Sequence, residues 1–369
     1  MYRKVLLLSG ISILAILIEH ADTFGIDALY FWLPRYQTLL PANYNPLSTP
    51  QYIILILFKQ GFIFGVPAFL FVSGFFAGYA INLEKTRWKI ITTRILALVV
   101  PYLFWTDINI ILDAGTGNIS TTWQYLARLF FGVGGFWFIP VLIVFYLISP
   151  WLIRLSKINS KSLLIFSGIL QIVFITLKYT IFLSLKSTNP LINFIINDQN
   201  NNFLMNWIFY FPFGIVYYMH QHDLKIWMLT HRKSIELICA FSFLIAMTIS
   251  LWKNIYLQPT DNWITGFVDF LSHLYSVFII IVFLILGEIK GILYNQIIKL
   301  SPQVYGIYLT HYFFQSYFSR AIYHLIPALL RFQILFFILN IVIGLGGSLL
   351  LMRLMRKSRL KSHYALVFG

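Results

Sequence analysis

Residues 5–20 read VLLLSGISILAILIEH, an almost unbroken apolar run that closes on two ionisable side chains, Glu19 and His20. The apolar part predicts a helix that enters a membrane. Ionisable groups at the end of such a helix cost free energy unless they have a partner or a chemical task. The run therefore predicts a first membrane helix and marks His20 as the leading candidate for a functional side chain.

The rest of the chain has the composition of a membrane protein. Of its 369 residues, 59% are hydrophobic and 11% are charged, and the mean hydropathy is +0.79. A soluble domain carries about 25% charged residues. We therefore predict an all-α, polytopic membrane protein with a single domain, residues 1–369. Its ten predicted membrane helices are 5–22, 61–82, 90–112, 136–154, 162–184, 203–220, 235–252, 264–287, 303–324 and 332–354.

Basic side chains set the predicted orientation. The formal net charge is +15, but Lys and Arg gather at the ends of apolar runs, where they fix membrane topology. A nucleic-acid partner is therefore not expected, and membrane lipids are. With the N-terminus placed in the cytoplasm, every predicted cytoplasmic segment holds at least two basic residues, so both termini are predicted to be cytoplasmic. The longest outer loop, about 24–51, could hold an acceptor or rest on the lipid headgroups.

Imidazole chemistry makes His20 the first catalytic candidate, with Glu19 beside it. An imidazole titrates near neutral pH and can take a proton from an alcohol as a general base. The alternative is a histidine that only forms a hydrogen bond at the membrane interface.

Further ionisable groups lie in predicted helices. Asp269 and His273 are four residues apart, so they can meet on one helix face and orient each other. His311 lies near the middle of the ninth predicted helix, where a polar group is costly. Asp107 lies toward the outer end of the third. Each could instead be satisfied by hydrogen bonds inside a helix bundle, and the sequence does not show whether they converge.

A basic cluster opens the third predicted helix from the cytoplasmic side. It consists of Arg87, Lys89 and Arg94. Such a cluster attracts anionic lipid headgroups, but it could equally bind the phosphates of a ligand. No metal site is predicted, because Cys239 is the only cysteine and the histidines of the tract 220–223 point apart on a helix.

Several segments together resemble the acyltransferase-3 family of integral membrane acyltransferases. They follow the family order and span most of the chain. The segments are 6–20 (LLLSGISILAILIEH), 65–78 (GVPAFLFVSGFFAG), 94–102 (RILALVVPY), 135–138 (GFWF) and 305–311 (YGIYLTH).

The resemblance implies a membrane-embedded acyltransferase of a bacterial inner membrane. Such an enzyme would move an acetyl or similar group from cytoplasmic acyl-coenzyme A to a hydroxyl of a glycan or lipid-linked saccharide at the outer side. Acyl-coenzyme A is then a co-substrate, and no cofactor is expected. His20, in the place of the family's catalytic histidine, would activate the hydroxyl, and the basic cluster would meet the donor phosphates. Residues that could line the site are Ser73, Asp107, Trp137, Asp269, His273, Tyr308 and His311.

The chain departs from the family at one place. About three helical turns before the histidine the family typically has an arginine, and this chain has Ser9. Arg87 or Arg94 would then supply the missing charge. Two other functions stay open: a secondary transporter, since proton-coupled carriers also hold Asp and His inside the membrane, and a non-catalytic membrane component of polysaccharide assembly.

Overall fold

A computed structural model describes residues 2–40, 45, 49–83, 87–115, 134–182, 204–256, 270–286 and 291–369. All regular secondary structure within these ranges is helical. The helices are α1 (Tyr2–Asp27), α2 (Pro50–Phe62), α3 (Gly65–Leu83), α4 (Arg87–Gly115), α5 (Phe138–Phe182), α6 (Tyr210–Met219), α7 (Gln221–Thr230), α8 (Arg232–Tyr256), α9 (Phe270–Ile285), α10 (Ile292–Leu300), α11 (Val304–Leu325), α12 (Gln333–Lys357) and α13 (Tyr364–Phe368).

The prediction of an all-helical, multi-pass membrane protein is confirmed. Within the described ranges, six helical stretches are long and apolar enough to cross a membrane. The count of ten spans stays a prediction. One of the predicted spans, 203–220, is a 3₁₀ turn followed by the 10-residue helix α6. A helix of that length rises about 15 Å, roughly half of a bilayer core.

The segment around the second predicted span forms two helices. Thr49 accepts a hydrogen bond from the backbone N–H of Tyr52 through its hydroxyl, and Pro50 occupies the first turn of α2. Both are favoured positions for these residue types at a helix start. The helix ends at Phe62, and α3 begins at Gly65. The apolar pattern alone does not reveal this break.

The long helix α5 is divided where the sequence predicts a loop between two spans. Asn159 has φ −154° and ψ 90°, which is not helical. Its side-chain oxygen accepts a hydrogen bond of 3.0 Å from the backbone N–H of Ser162. Asn159 therefore acts as the N-cap of the second half, and the predicted boundary between 136–154 and 162–184 is confirmed.

Close contacts divide the chain into two compact units. Unit 1 comprises Met1–Val66, Arg232–Tyr364 and Phe368, and unit 2 comprises Pro67–His231, Ala365–Val367 and Gly369.

Within unit 1, α1 packs against α2, α10, α11 and α12. Its N-terminal end is tied to the end of α9, because the Lys4 ammonium donates hydrogen bonds to the carbonyl oxygens of Leu284 (2.9 Å) and Leu286. A cation at a helix C-terminus also interacts favourably with the helix dipole. Gly10 lies against the backbone of α10, where a side chain would overlap the carbonyl oxygen of Ile297. These contacts fix α1 lengthwise, and thereby the position of His20.

Within unit 2, α3 and α6 approach each other through two glycines. A Cβ on Gly74 would overlap the Phe211 carbonyl oxygen, and one on Gly214 would overlap that of Phe71. The backbones of α3 and α6 are therefore in direct contact at these two positions. Small residues allow this approach inside a membrane, where packing rather than water exclusion holds helices together.

Candidate active site

His20 meets a second histidine inside unit 1. His20 is half-buried near the end of α1, and His311 is fully buried on α11. Their ring centroids lie 5.3 Å apart, and the ring planes are tilted by 43°. Tyr308 is also buried, with its ring centroid 5.8 Å from that of His311. The packing of α1 against α11 therefore brings together three of the residues predicted for the site.

The backbone of α11 fixes the proton position on His311. Its Nδ1 lies 2.8 Å from the carbonyl oxygen of Tyr308 and 3.1 Å from that of Ile307. A carbonyl oxygen only accepts hydrogen bonds, so Nδ1 carries the proton and Nε2 keeps its lone pair. Nε2 is buried and has no hydrogen-bond partner among the described residues. A buried acceptor in this condition calls for an explanation, such as a donor that arrives with a ligand.

A row of aromatic rings leads from His20 into the segment after α1; we name it the aromatic wall. Its members, in order from His20, are Tyr312, Phe24, Trp32, Tyr323 and Tyr36. Successive ring centroids are 5.3 to 6.3 Å apart. At the far end, the Tyr36 hydroxyl donates a 2.7 Å hydrogen bond to the Tyr323 carbonyl oxygen. The wall thus connects the histidine pair with the chain segment that the sequence predicts to be the longest outer loop.

A separate charged group occupies another face of α1. The Lys59 ammonium on α2 interacts electrostatically with the carboxyl groups of Glu19, Asp22 and Asp27. Asp22 is fully buried, and neither of its oxygens has a hydrogen-bond partner in the described part of the chain. It follows His20 by two residues, about 200° around the helix. Glu19 thus interacts electrostatically with Lys59 and with the neighbouring carboxyl group of Asp22.

Gln315 links three helices of unit 1 one turn beyond His311. Its side-chain nitrogen donates to the carbonyl oxygens of Leu17 (3.0 Å) and Asn340 (3.4 Å). The Asn340 side chain in turn accepts a 2.9 Å hydrogen bond from Ser319. Such bonds between helices hold α1, α11 and α12 in register around the histidine pair. Neither Asp22 nor Gln315 is among the residues predicted from the sequence. Gln315 could have been found, because it is a polar residue one helical turn from the candidate His311.

In unit 2, two predicted residues converge on a tyrosine. The hydroxyl of Tyr146 on α5 lies near Arg94 on α4 and Ser73 on α3 and interacts electrostatically with both side chains. Tyr146 is buried and Arg94 is half-buried. No sequence pattern distinguishes Tyr146 from the other tyrosines, of which the chain has 22 in all, since its surroundings depend on the packing of three helices.

The other candidates of unit 2 have no described contact with Tyr146. Arg87 begins α4, and Lys89 and Asp107 are exposed on the same helix. Trp137 is half-buried at the turn before α5, with its ring centroid 5.5 Å from that of Trp207.

The predicted Asp269–His273 pair is only half described. Asp269 lies outside the described residues. His273 is buried on α9, next to Ser272, which accepts a 3.3 Å hydrogen bond from Gln60. In the part of the chain that the structure covers, no three His, Cys, Asp or Glu residues are placed to hold a metal ion. The absence of a metal and of a cofactor stays a prediction.

Comparison with known proteins identifies the class. The model of an acyltransferase domain, that of the acyltransferase-3 family, matches residues 7–354. The chain belongs to this family, and it is a multi-pass membrane protein with acyltransferase activity. Three similar proteins come from Staphylococcus aureus strains Mu50, MSSA476 and MRSA252, and each is named "Probable poly-beta-1,6-N-acetyl-D-glucosamine export protein". Each is 25% identical over 277 residues, which are 74% of this chain and 75% of the relative. No solved structure matches the chain.

Proposed function

We propose that this acyltransferase moves an acetyl or similar group from cytoplasmic acyl-coenzyme A to a hydroxyl of a glycan or lipid-linked saccharide at the outer side of a bacterial inner membrane. The observation that carries the proposal is the His20–His311 pair, held by α1 and α11 at one end of the aromatic wall. An imidazole can act as a general base, and neither ring forms an ion pair with a carboxylate in the described residues.

His20 is the proposed base. The hydroxyl of the acceptor donates its proton to a His20 nitrogen while its oxygen attacks the thioester carbon. The carbon–sulfur bond then breaks, and the proton on His20 finally reaches the coenzyme A thiolate, so that the products are an ester and a thiol. The imidazole is regenerated, and no redox step or bound metal is needed for this balance.

The acceptor is proposed to be a saccharide for two reasons. The relatives carry the name of a polysaccharide in their descriptions. Four rings of the aromatic wall, those of Tyr312, Trp32, Tyr323 and Tyr36, are half-buried rather than buried, and sugar rings pack through their C–H groups against exposed aromatic surfaces. Trp32, half-buried between Phe24 and Tyr323, is the largest ring of the wall and the best placed to receive a sugar unit entering from the loop side.

The donor phosphates are proposed to bind at Arg87, Lys89 and Arg94. A half-buried guanidinium beside Tyr146 and Ser73 loses less conformational entropy on binding than a fully exposed side chain would. An exposed lysine on the same helix adds positive charge. Within unit 1, Ser9 is buried and its carbonyl oxygen accepts a 2.7 Å hydrogen bond from Ser12. The position of the family arginine therefore holds a buried serine in this chain, and this supports a donor contact elsewhere.

Export of the polysaccharide is the second candidate function, and the name of the relatives favours it. Mass spectrometry of surface glycans and lipids separates the two. Strains would be compared after deletion of the gene and after complementation with wild type or His20→Gln. The proposal expects an added acyl mass only with wild type. Glycan that leaves the cell in normal amounts only with the protein present, but without any added mass, would favour export and contradict acyl transfer.

A further inference from the structure

The buried Nε2 of His311 has no role in the acyl transfer proposed above. We propose that His311 is the positioning partner of His20: its Nε2 accepts a hydrogen bond from a ring N–H of His20 when the acceptor hydroxyl is bound. This inference rests on the proposed function, because it concerns how the proposed base is oriented.

The separation of the two rings suits such a bond. A ring nitrogen lies about 1.1 Å from its ring centroid, so an N–H···N hydrogen bond of about 2.9 Å places the two centroids about 5 Å apart. The observed centroid separation of His20 and His311 is 5.3 Å. A shift of a few tenths of an ångström and a ring rotation complete the bond. Catalytic hydrogen bonds are often long without substrate and tighten when it binds.

The protonation of His311 determines the direction of the bond. Nδ1–H is engaged with the carbonyl oxygens of Ile307 and Tyr308, so Nε2 can only accept. A hydrogen bond between the two rings must therefore run from an N–H of His20, and the other nitrogen of His20 then presents its lone pair. When that nitrogen takes the hydroxyl proton, the bond to His311 becomes charge-assisted and stronger. A carboxylate has the same orienting role in catalytic triads.

The surroundings favour this role over a ligand contact made by His311 itself. His311 is completely buried and Nε2 has no hydrogen-bond partner among the described residues, whereas His20 is half-buried beside the aromatic wall. The substrate therefore reaches His20 first. A purely structural histidine would need only the two Nδ1 contacts. The desolvation free energy of an unsatisfied, buried Nε2 would then not be offset by any hydrogen bond.

One substitution separates the two roles of the ring. In His311→Asn, the side-chain amide nitrogen replaces Nδ1 and keeps a donor for the carbonyl oxygens, but no acceptor stands in the place of Nε2. We expect kcat for acyl transfer to fall about ten- to a hundred-fold, the cost of one charge-assisted hydrogen bond. The KM values for donor and acceptor should stay nearly unchanged. His222→Asn, at an exposed histidine, is the matched control.

A spectroscopic signature makes the test independent of turnover. The chain has eight histidines. With ¹⁵N-labelled histidine, their resonances would be assigned from eight variants, in each of which one histidine is replaced. The His311→Asn substitution should change the ¹⁵N shifts and the tautomer balance of His20. Wild-type kcat together with unchanged His20 resonances in His311→Asn would overturn the inference. If wild type itself transfers no acyl group, the proposed function fails, and the resonances of His20 still report whether the two rings are coupled.

Discussion

The side chain of Arg94 interacts electrostatically with the buried hydroxyl of Tyr146, next to Ser73, so that polar groups of three helices of unit 2 lie close together. Arg94 and Ser73 are 21 positions apart in the chain and belong to different predicted helices. The nearby tyrosine restricts where the guanidinium can lie, and this makes Arg94 a candidate anion-binding residue of the basic cluster.

Removal of the Arg94 charge should weaken donor binding. Each charge-assisted contact contributes about 1.5–3 kcal/mol, so Arg94→Gln is expected to lower the affinity for acetyl-coenzyme A about ten- to a hundred-fold. Tyr146→Phe should cause a smaller loss, because it frees the guanidinium without removing it. Calorimetric titration of the purified protein measures both. Lys161→Gln, at an exposed lysine of α5, is the control, and an unchanged affinity in Arg94→Gln would reassign this arginine to a structural role.

The general-base proposal makes His20 indispensable. Loss of a general base typically lowers the rate about 10²- to 10⁴-fold, and His20→Ala and His20→Gln should both show this drop at equal membrane levels. Gln keeps size and hydrogen bonding but cannot take up the proton. Acyl transfer to the native acceptor is the assay, with His231→Gln, at an exposed histidine, as the control. Near wild-type turnover in His20→Gln would favour an interfacial hydrogen-bonding histidine.

The aromatic wall predicts a defect that is confined to the acceptor. Trp32→Ala should raise the KM for a β-1,6-linked N-acetylglucosamine oligomer about ten-fold while the KM for the donor stays the same, since a lost aromatic contact costs about 0.5–1.5 kcal/mol beyond the lost area. Trp32→Phe should retain most of the affinity. An equal effect on both substrates, or none on either, speaks against a saccharide site along the wall. Trp227→Ala, at an exposed tryptophan of unit 2, controls for general loss of tryptophan.

The glycine contact between α3 and α6 should not tolerate a side chain. In Gly74→Ala the added Cβ meets the carbonyl oxygen of Phe211, and backbone cannot move aside cheaply. We expect a loss of about 1–3 kcal/mol or more in stability, seen as a lower melting temperature in detergent. Gly346→Ala on α12 is the matched control, because no atom lies within 4 Å of the new Cβ. Equal melting temperatures for the two variants would show that the helices separate easily.

Topology can be tested with single cysteines. After Cys239→Ser, we expect an impermeant thiol reagent to label Thr38→Cys in intact cells but not Ser160→Cys or Ser358→Cys. Ser160 follows the Asn159 break in α5, and Ser358 follows the end of α12. Basic residues near both positions predict that they face the cytoplasm. Labelling of Ser358→Cys in intact cells would contradict cytoplasmic placement of the C-terminus.

Several local features follow from the sequence because they depend on neighbours in the chain. The apolar runs predict α1, α4, α8, α11 and α12 to within a few residues at most ends, since hydrophobic length decides which segments can span a membrane. The loop between 136–154 and 162–184 follows from polar and basic residues, and Asn159 forms its cap. The family resemblance also rests on local segments, and the match over residues 7–354 confirms it.

Other features cannot be predicted from the sequence. The helix α2 before the second predicted span, its break from α3, and the short helix α10 depend on packing and on caps whose signals are weak in an apolar context. Glu19 and His20 are neighbours in the sequence, yet the carboxylate interacts electrostatically with Lys59, and the imidazole packs near His311 and Tyr312. Adjacent helix residues differ in direction by about 100°, so they serve different helix partners.

The sequence by itself determined that this protein is a helical membrane acyltransferase of one family, because membrane insertion depends on the length and polarity of each segment and the family motifs are contiguous. Only the tertiary structure decided that His20 pairs with His311, 291 positions away, and that Arg94 lies near Tyr146. These pairings arise from the packing of helices that are distant in the chain. A pattern of residue types along one helix specifies which face is polar, but it does not specify which helix that face will meet.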